Sequence, residues 1–215
     1  FATHGADALR LYILFMAPPS DGVEWNDGGI EGTKRFLNKF WENAEKLSKL
    51  EELDSTKNDE NIVRKVNQSI SSVSKHLDKF EFNTAVSDLM KLNNDLSEFL
   101  KNSKGVSKKS KDMIMKNICI LLFPMAPHIA SEVFEEYFKE NLIDVTWPEV
   151  DTDNLKDPTY ELVVQINGKK TYTRDTDIGL EQVEIEKICK EEFNMNLSEF
   201  KKIIYIKDKI INFVG

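Results

Sequence analysis

The sequence predicts a mainly α-helical protein, in which a helical bundle is followed by a small α+β domain of the order ββαββ. Through most of the first 150 residues, apolar side chains recur every three or four positions, which is the spacing of a helix with one buried face. After residue 158 the pattern changes to alternation, and Asn167-Gly168 is the strongest short signal for a β-hairpin. A chain of 215 residues can hold one large domain or two smaller ones.

The composition indicates an ordinary water-soluble globular protein, with 40% hydrophobic and 31% charged residues. No apolar run reaches the roughly 18 residues that a membrane-spanning helix needs, and no signal peptide is visible. The net charge of −8 argues against a generally basic nucleic-acid binder, so any RNA contact would depend on local basic patches. We expect Cys119 and Cys189 to be buried free thiols, and the three histidines show no metal-ligand spacing.

The first two helices are predicted at residues 5–16 and about 30–50. In the first, Ala6, Leu9 and Ile13 share a face, the prolines at 18 and 19 end the helix, and Asp7 and Arg10 are spaced to pair across one turn. The turn-rich segment 20–29 contains Trp25, which we expect to pack on the bundle. The second helix has an apolar stripe formed by Leu37, Phe40, Trp41, Ala44 and Leu47. Its basic residues Lys34, Arg35 and Lys39 lie off that stripe.

The middle of the chain predicts two more helices and two loops. Residues 51–61 are polar and predict a loop with Asp59 as a helix cap, before a helix at about 60–79 whose inward positions begin with Ile62 and Val66. Asn83 or Thr84 can cap the next helix, which places Ala85, Leu89, Leu92, Leu96 and Phe99 inward. The basic, serine-rich residues 101–111 predict a flexible surface loop, with a phosphate contact as the alternative.

The most apolar stretch, residues 113–123, predicts a helix at the centre of the bundle. Pro124 and Pro127 break it, and Pro127 suits the first turn of a second amphipathic helix, predicted at 128–139, because its missing N–H would be unpaired there anyway. Beyond a polar, acidic linker at 151–158, strands are predicted at 160–166, 169–174, 203–206 and 210–214, with a helix at 180–192.

Several literal strings resemble the anticodon-binding region of class Ia aminoacyl-tRNA synthetases, and the leucyl enzymes of the bacterial type match best. They are G-A-D-A-L-R at 5–10, W-N-D-G-G-I-E-G-T-K-R-F-L at 25–37, K-F-E-F-N-T-A-V-S-D-L-M at 79–90, P-M-A-P-H-I-A-S-E-V-F at 124–134 and T-W-P-E-V-D at 146–151. The resemblance covers nearly the whole chain. It implies a stem or linker segment after the catalytic domain at 1–29, an anticodon-binding-like helical bundle at 30–150, and a small C-terminal tRNA-binding domain at 158–215.

The resemblance also implies a function. The parent protein would be a class I leucine–tRNA ligase, while this chain would position the tRNA and be catalytically inactive, since the HIGH and KMSKS signatures and the editing domain do not occur in it. No cofactor is expected in this chain, because ATP and Mg²⁺ would belong to the catalytic domain. The expected partner is tRNA(Leu), read by shape and phosphate contacts. Neither DNA nor a membrane is expected as a partner, and we expect a monomer in the bacterial cytoplasm or an organelle matrix.

Basic residues on the two predicted hairpins are the candidates for RNA binding, together with two on the second helix. The candidates are Lys169, Lys170, Arg174, Lys201, Lys202, Lys207, Lys209, Arg35 and Lys39. The strings V-V-Q-I-N-G-K at 163–169 and I-K-D-K-I-I-N-F-V at 206–214 resemble the small domain of the leucyl enzymes. The family's arginine after N-G-K is missing here, and Lys170 and Arg174 are its possible substitutes. Asp7, Arg10 and Trp25 would be structural supports.

Two other interpretations remain open from the sequence. The chain could be the corresponding region of an isoleucyl or valyl relative, although these end in other appendages. It could also be a non-enzymatic RNA-binding module, including one that assists splicing. Catalytic motifs upstream of residue 1 in the parent gene would distinguish the second from a ligase.

Overall fold

The computed structural model describes residues 4–17, 22, 24–26, 28–54, 57–152, 155 and 159–215. The chain forms two compact units, Phe1–Leu155 and Lys156–Gly215. No helix among the described residues is long and apolar enough to cross a membrane.

The first unit is a helical bundle. Its helices and two short strands are α1 (Ala6–Met16), α2 (Ile30–Lys49), β1 (Glu51–Leu53), α3 (Lys57–Asp78), α4 (Phe82–Asn102), β2 (Gly105–Ser107), α5 (Lys108–Leu122) and α6 (Pro127–Phe138), followed by a 3-10 turn at Leu142–Asp144. The predicted inward faces of α2, α3 and α4 are confirmed, although Phe99 is only partly buried against the core and Trp41 remains 38% exposed. Five consecutive side chains near the end of α5, from Ile118 to Leu122, are buried, as expected for the central helix.

The break after α5 lies where the sequence predicted it. Pro127 is the first residue of α6, and Lys139 ends this helix in the left-handed conformation with φ 58°. The helix continues for twelve residues because Ala130, Val133 and Phe134 lie on its buried face.

Two predicted loops proved wrong, because their residues form a small parallel sheet. β1 pairs with β2, with Glu51 opposite Gly105 and Leu53 opposite Ser107. The backbones are so close that a Cβ atom on Gly105 would lie 2.6 Å from Cγ of Leu53 and 2.8 Å from the carbonyl oxygen of Glu51. Glycine is therefore required at this position by the close approach of β1.

The predicted buried face of α1 is corrected as well. Helix α1 buries Asp7, Ala8, Leu11 and Tyr12, whereas Ile13, placed on the predicted face, is 55% exposed.

The predicted caps also lie elsewhere. Asp59 lies inside α3, two residues after the helix begins, and its carboxylate accepts the backbone N–H of Ser107 at 2.9 Å. Asn83 and Thr84 are already helical, since α4 begins at Phe82 after Phe80 has adopted φ 57°. The proline pair expected to end α1 falls outside the described residues.

The second unit is a four-stranded sheet covered by one helix. Its elements are β3 (Thr159–Ile166), β4 (Lys169–Asp177), α7 (Gln182–Glu192), a 3-10 turn at Leu197–Glu199, β5 (Lys202–Ile206) and β6 (Ile210–Val214). The strand order is β4-β3-β6-β5, in which β3 and β6 are parallel and both outer pairs are antiparallel. The predicted ββαββ order is confirmed, and the Asn167-Gly168 turn has positive φ at both residues, as a type I′ hairpin requires.

The core of the second unit lies between one face of this sheet and α7. It contains Leu162 and Val164 of β3, Ile211 and Phe213 of β6, and Ile185 and Cys189 of α7. Both Cys119 and Cys189 are free and buried, as the sequence predicted.

Candidate nucleic-acid interface

Four of the predicted RNA-binding lysines lie at one end of the sheet in the second unit. Lys169 and Lys170 open β4, while Lys201 and Lys202 stand at the start of β5. The register places both pairs at the same end, since Lys169 is opposite Ile166 and Lys202 is opposite Val214. All four side chains are exposed. We call these four residues the lysine edge.

The width of the lysine edge follows from the strand order. Strands β4 and β5 are the two outer strands, and three strand spacings of about 4.8 Å separate them, which gives roughly 14 Å. Lysine side chains add several ångströms of reach on either side. The lysine edge can therefore contact more than one phosphate of a nucleic-acid backbone at once.

Asparagine side chains hold the backbone of this edge in place. The backbone N–H of Gly168 donates to Oδ1 of Asn212 at 3.1 Å, and that of Gly215 donates to Oδ1 of Asn167 at 3.0 Å. The N–H of Lys201 donates to the carbonyl of Val214 at 2.8 Å. These bonds tie the tip of the first hairpin to β6 and β6 to β5, so the two lysine pairs have a fixed separation at the level of the backbone.

The charge distribution in the second unit favours this edge as its anion-binding surface. Residues 156–215 carry ten Lys and Arg against eleven Asp and Glu, so most of the chain's negative charge belongs to residues 1–155. The acidic residues Glu184, Glu191 and Glu192 are concentrated on α7, which covers one face of the sheet. At the lysine edge, only Lys170 forms an ion pair among the described residues, with Glu161 at 3.1 Å, and both side chains are about 60% exposed. Such an exposed pair is weak and exchanges readily for a phosphate.

The remaining predicted lysines of the second unit lie elsewhere, so the candidate residues do not form one continuous patch. Lys207 and Lys209 belong to the turn between β5 and β6, at the opposite end of the sheet. The Lys207 ammonium is 2.5 Å from a carboxylate oxygen of Glu181, and this bond raises the pKa of Lys207.

Arg174 does not belong to the lysine edge either. It lies opposite Leu162, on the sheet face that α7 covers, and forms an ion pair with Glu192 at the end of that helix. Of the two residues considered as substitutes for the missing arginine, only Lys170 lies on the lysine edge.

The two candidates on α2 are exposed on the surface of the first unit. Arg35 and Lys39 are one helical turn apart on α2, and the Lys39 ammonium donates to Oδ1 of Asn94 on α4 at 2.8 Å. Lys34 is partly buried. This arrangement offers at most a narrow basic strip.

Asp7 and Arg10 do not pair with each other, because both reach the corner between α5 and α6. Asp7 is 8% exposed and accepts the backbone N–H groups of His128 at 3.4 Å and Ile129 at 2.7 Å. It also contacts Nδ1 of His128 at 2.8 Å. Arg10 donates to the carbonyl of Pro124 at 3.1 Å. Asp7 therefore caps the N-terminus of α6 from another helix, where an acidic group is favourable.

Trp25 packs edge-on against Tyr12, with ring centroids 5.0 Å apart, and is 52% exposed. The Tyr12 hydroxyl donates to the carbonyl of Asn26 at 2.6 Å. Tyr12 thus connects Trp25 and Asn26 to α1.

Lys111 is a buried basic residue whose role the sequence did not reveal. It lies within the predicted surface loop at 101–111, yet it belongs to α5 and is only 3% exposed. Its ammonium donates to the carbonyl of Leu50 at 2.7 Å and to a carboxylate oxygen of Glu52 at 3.2 Å. Lys111 therefore satisfies carbonyl groups where α2 ends, and it is not available to a phosphate.

Comparison with known proteins finds that the chain is similar to one part of tRNA ligases. The family model described as the anticodon-binding domain of tRNA ligase matches residues 59–202. The leucine–tRNA ligase of Fervidobacterium nodosum is 38% identical over 223 residues, which cover 98% of this chain and 27% of that protein. That of Thermosipho melanesiensis is 35% identical, with the same coverage. The chain spans about a quarter of the length of these curated relatives.

A solved structure matches the same extent of the chain. It is the crystal structure of the ternary complex of Agrobacterium radiobacter K84 agnB2 LeuRS with tRNA and LeuAMS, and it superposes with a TM-score of 0.76 at 27% identity. The match covers 98% of this chain and 29% of that one. The two-part architecture described above is therefore shared with a synthetase of known structure.

Proposed function

Because the chain belongs to the family of anticodon-binding domains of tRNA ligases, we propose that it is the tRNA-binding part of a leucine–tRNA ligase, which joins leucine to tRNA(Leu) with ATP. The observation that carries the proposal is the lysine edge, an exposed, backbone-fixed row of four cationic side chains on a chain of net charge −8. The relatives named above favour leucine over isoleucine or valine as the amino acid.

The role of this chain is to hold the tRNA, and the chemistry belongs to the rest of the ligase. The HIGH and KMSKS strings of class I synthetases do not occur in the sequence. ATP and Mg²⁺ would act in the catalytic part of the ligase. We expect the isolated chain to bind RNA without aminoacylating it.

The chemistry of the lysine edge favours contacts to phosphates over contacts to bases. Lysine is a compact point charge on a flexible stem, which suits phosphate oxygens but gives little discrimination between bases. Recognition would then depend on where the folded tRNA places its backbone, which is how helical RNA is commonly recognised. Leucine specificity at this surface would come from tRNA shape.

The proposal is tested by comparing two variants of equal net charge. The edge variant replaces Lys169, Lys170, Lys201 and Lys202 by Gln. The control variant replaces four lysines of the same unit away from the edge by Gln, namely Lys187, Lys190, Lys207 and Lys209. Binding of leucine tRNA and of an unrelated tRNA to the wild-type chain and both variants is measured at one fixed salt concentration.

We expect the edge variant to bind leucine tRNA at least about tenfold more weakly than wild type, which corresponds to about 1.4 kcal/mol. The control variant should stay within about threefold, because its charges lie on α7 and at the other end of the sheet. Equal losses in the two variants would show that only net charge matters and would refute the lysine edge as the binding surface. A wild-type chain that binds neither tRNA would refute the proposed role of this part of the ligase.

A further inference from the structure

The last residues of the first unit run along α3 and are hydrogen-bonded to it. Nε1 of Trp147 donates to Oγ of Ser74 at 2.8 Å, and Nε2 of Gln68 donates to the carbonyl of Leu155 at 2.9 Å. Between these two bonds, Val150 packs against the core of the bundle. We call residues 147–155 the strap, of which 153 and 154 lie outside the described residues.

Asn67 is the central attachment of the strap. Its side chain is 5% exposed, and its Oδ1 accepts the backbone N–H of Asp151 at 2.8 Å. Its Nδ2 donates to the carbonyl of the same residue. One amide side chain therefore pairs with both backbone groups of Asp151, as a neighbouring strand would. Removal of the amide would leave two partly buried backbone groups without these partners.

The acidic, polar composition of this stretch predicted a plain linker, but the hydrogen bonds extend the bundle as far as Leu155. The second unit begins at Lys156 and its first strand at Thr159. Three residues of the sequence, 156–158, which lie outside the described part of the chain, separate Leu155 from that strand. With the strap released, the free connection would start at residue 147 and be about four times as long.

We propose that Asn67, with Gln68 and Ser74, is a positioning residue for RNA binding: it fixes the point from which the second unit is tethered. This inference rests on the proposed tRNA-binding function. When two linked parts bind one ligand, the effective concentration of the second falls as roughly the 3/2 power of tether length, so a fourfold longer tether lowers it about eightfold. The strap thus raises the affinity of the whole chain for tRNA without contacting the RNA.

The test uses the full chain and leaves the strap sequence unchanged. The strap variant carries Asn67→Ala, Gln68→Ala and Ser74→Ala, and alanine is compatible with the α3 helix. The matched control is Asn61→Ala, which removes an exposed asparagine on the same helix that makes no side-chain hydrogen bond to the described residues. Distances are measured by single-molecule fluorescence between dyes attached at Lys79 and Lys187, each replaced by Cys, and affinity for leucine tRNA is measured in parallel.

We expect the strap variant to show a broader distance distribution than wild type and about eightfold weaker tRNA binding, while Asn61→Ala matches wild type in both. An unchanged distance distribution in the strap variant would overturn the inference, and so would a broadened distribution with unchanged affinity. If the wild-type chain fails to bind tRNA, the proposed function fails. The distance distribution alone still decides whether the strap limits the length of the free connection to the second unit.

Discussion

Replacement of Asp7 by Ala should destabilise the first unit strongly, although Asp7 belongs to a short helix near the start of the chain. The Asp7 carboxylate accepts two backbone N–H groups at the start of α6 and is almost fully buried. Loss of this capping carboxylate leaves two partly buried amides without their acceptor, which costs about 2–3 kcal/mol. The charge also interacts favourably with the N-terminus of α6, by about 0.3–1 kcal/mol. We expect a total loss of about 2–4 kcal/mol.

Urea unfolding followed by tryptophan fluorescence measures this loss in the first unit alone, because Trp25, Trp41 and Trp147 all precede residue 156. With a slope of about 2 kcal/mol per molar urea, the unfolding midpoint should fall by about 1–2 M. Asp7→Asn keeps one of the two acceptor oxygens and loses the charge, so it should cost about 1–2 kcal/mol, less than Asp7→Ala. The control is Asp78→Ala, at the exposed end of α3. If Asp7→Ala and Asp78→Ala unfold at the same urea concentration, the capping argument is wrong.

The remaining predictions concern buried groups. Lys111→Met should lower the free energy of unfolding by about 1–3 kcal/mol by leaving carbonyl groups unpaired, whereas the exposed Lys109→Met should change it by less than about 0.5 kcal/mol; equal effects would contradict the buried position. Asn43→Ala should cost about 2–4 kcal/mol in the same assay, since its amide bonds Asn93 and Ser97 inside the bundle, and a near-neutral result would contradict that. Burial raises the pKa of Cys189 from 9.0 to about 11, so its thiolate at pH 8 is about 100-fold scarcer and reaction with a disulfide reagent should be at least that much slower than in urea. The Cys189 thiol keeps its proton to a higher pH in the folded chain than in the unfolded chain, so the free energy of unfolding should fall as pH rises from 9 towards 11. An increase in the free energy of unfolding over this range would contradict the raised pKa.

The helices could be predicted from sequence because each has a regular apolar face. Val66 and Ile70 on α3, or Leu89 and Leu96 on α4, recur at helical spacing and are buried as that spacing requires. The pairing of β1 with β2 could not be predicted in this way. Each strand has three residues, the two are some fifty residues apart, and their sequence is polar. The burial of Lys111 depends on that pairing, so it could not be predicted from the sequence either.

The division of the basic residues in the second unit has a topological cause. Strands β3 and β6 are parallel neighbours, so the turn after β3 lies at the end where β6 finishes. The turn between β5 and β6 precedes β6 and must lie at the opposite end. Lys169 and Lys202 are therefore brought together while Lys207 is separated from them. The residue types and hairpins were visible in the sequence, but the strand order that divides them was not.

The contact made by Asp7 could not be predicted from the sequence either. Its spacing to Arg10 favoured a pair within one helix, yet both side chains bind backbone groups more than one hundred residues away in the chain. A buried carboxylate gains more from two amide N–H groups than from an exposed guanidinium one turn away. Local spacing cannot reveal a partner that only the assembled bundle supplies.

The most direct test of the central claim is the salt dependence of leucine tRNA binding by the wild-type chain and by the edge variant. Each lysine that neutralises a phosphate contributes roughly 0.7–0.9 to the slope of log K against log salt concentration. If all four lysines of the edge contact phosphates, the slope of the edge variant should be shallower than that of wild type by about 3. Parallel lines for the two proteins would mean that the lysine edge does not contact the RNA backbone, and the proposed binding surface would be wrong.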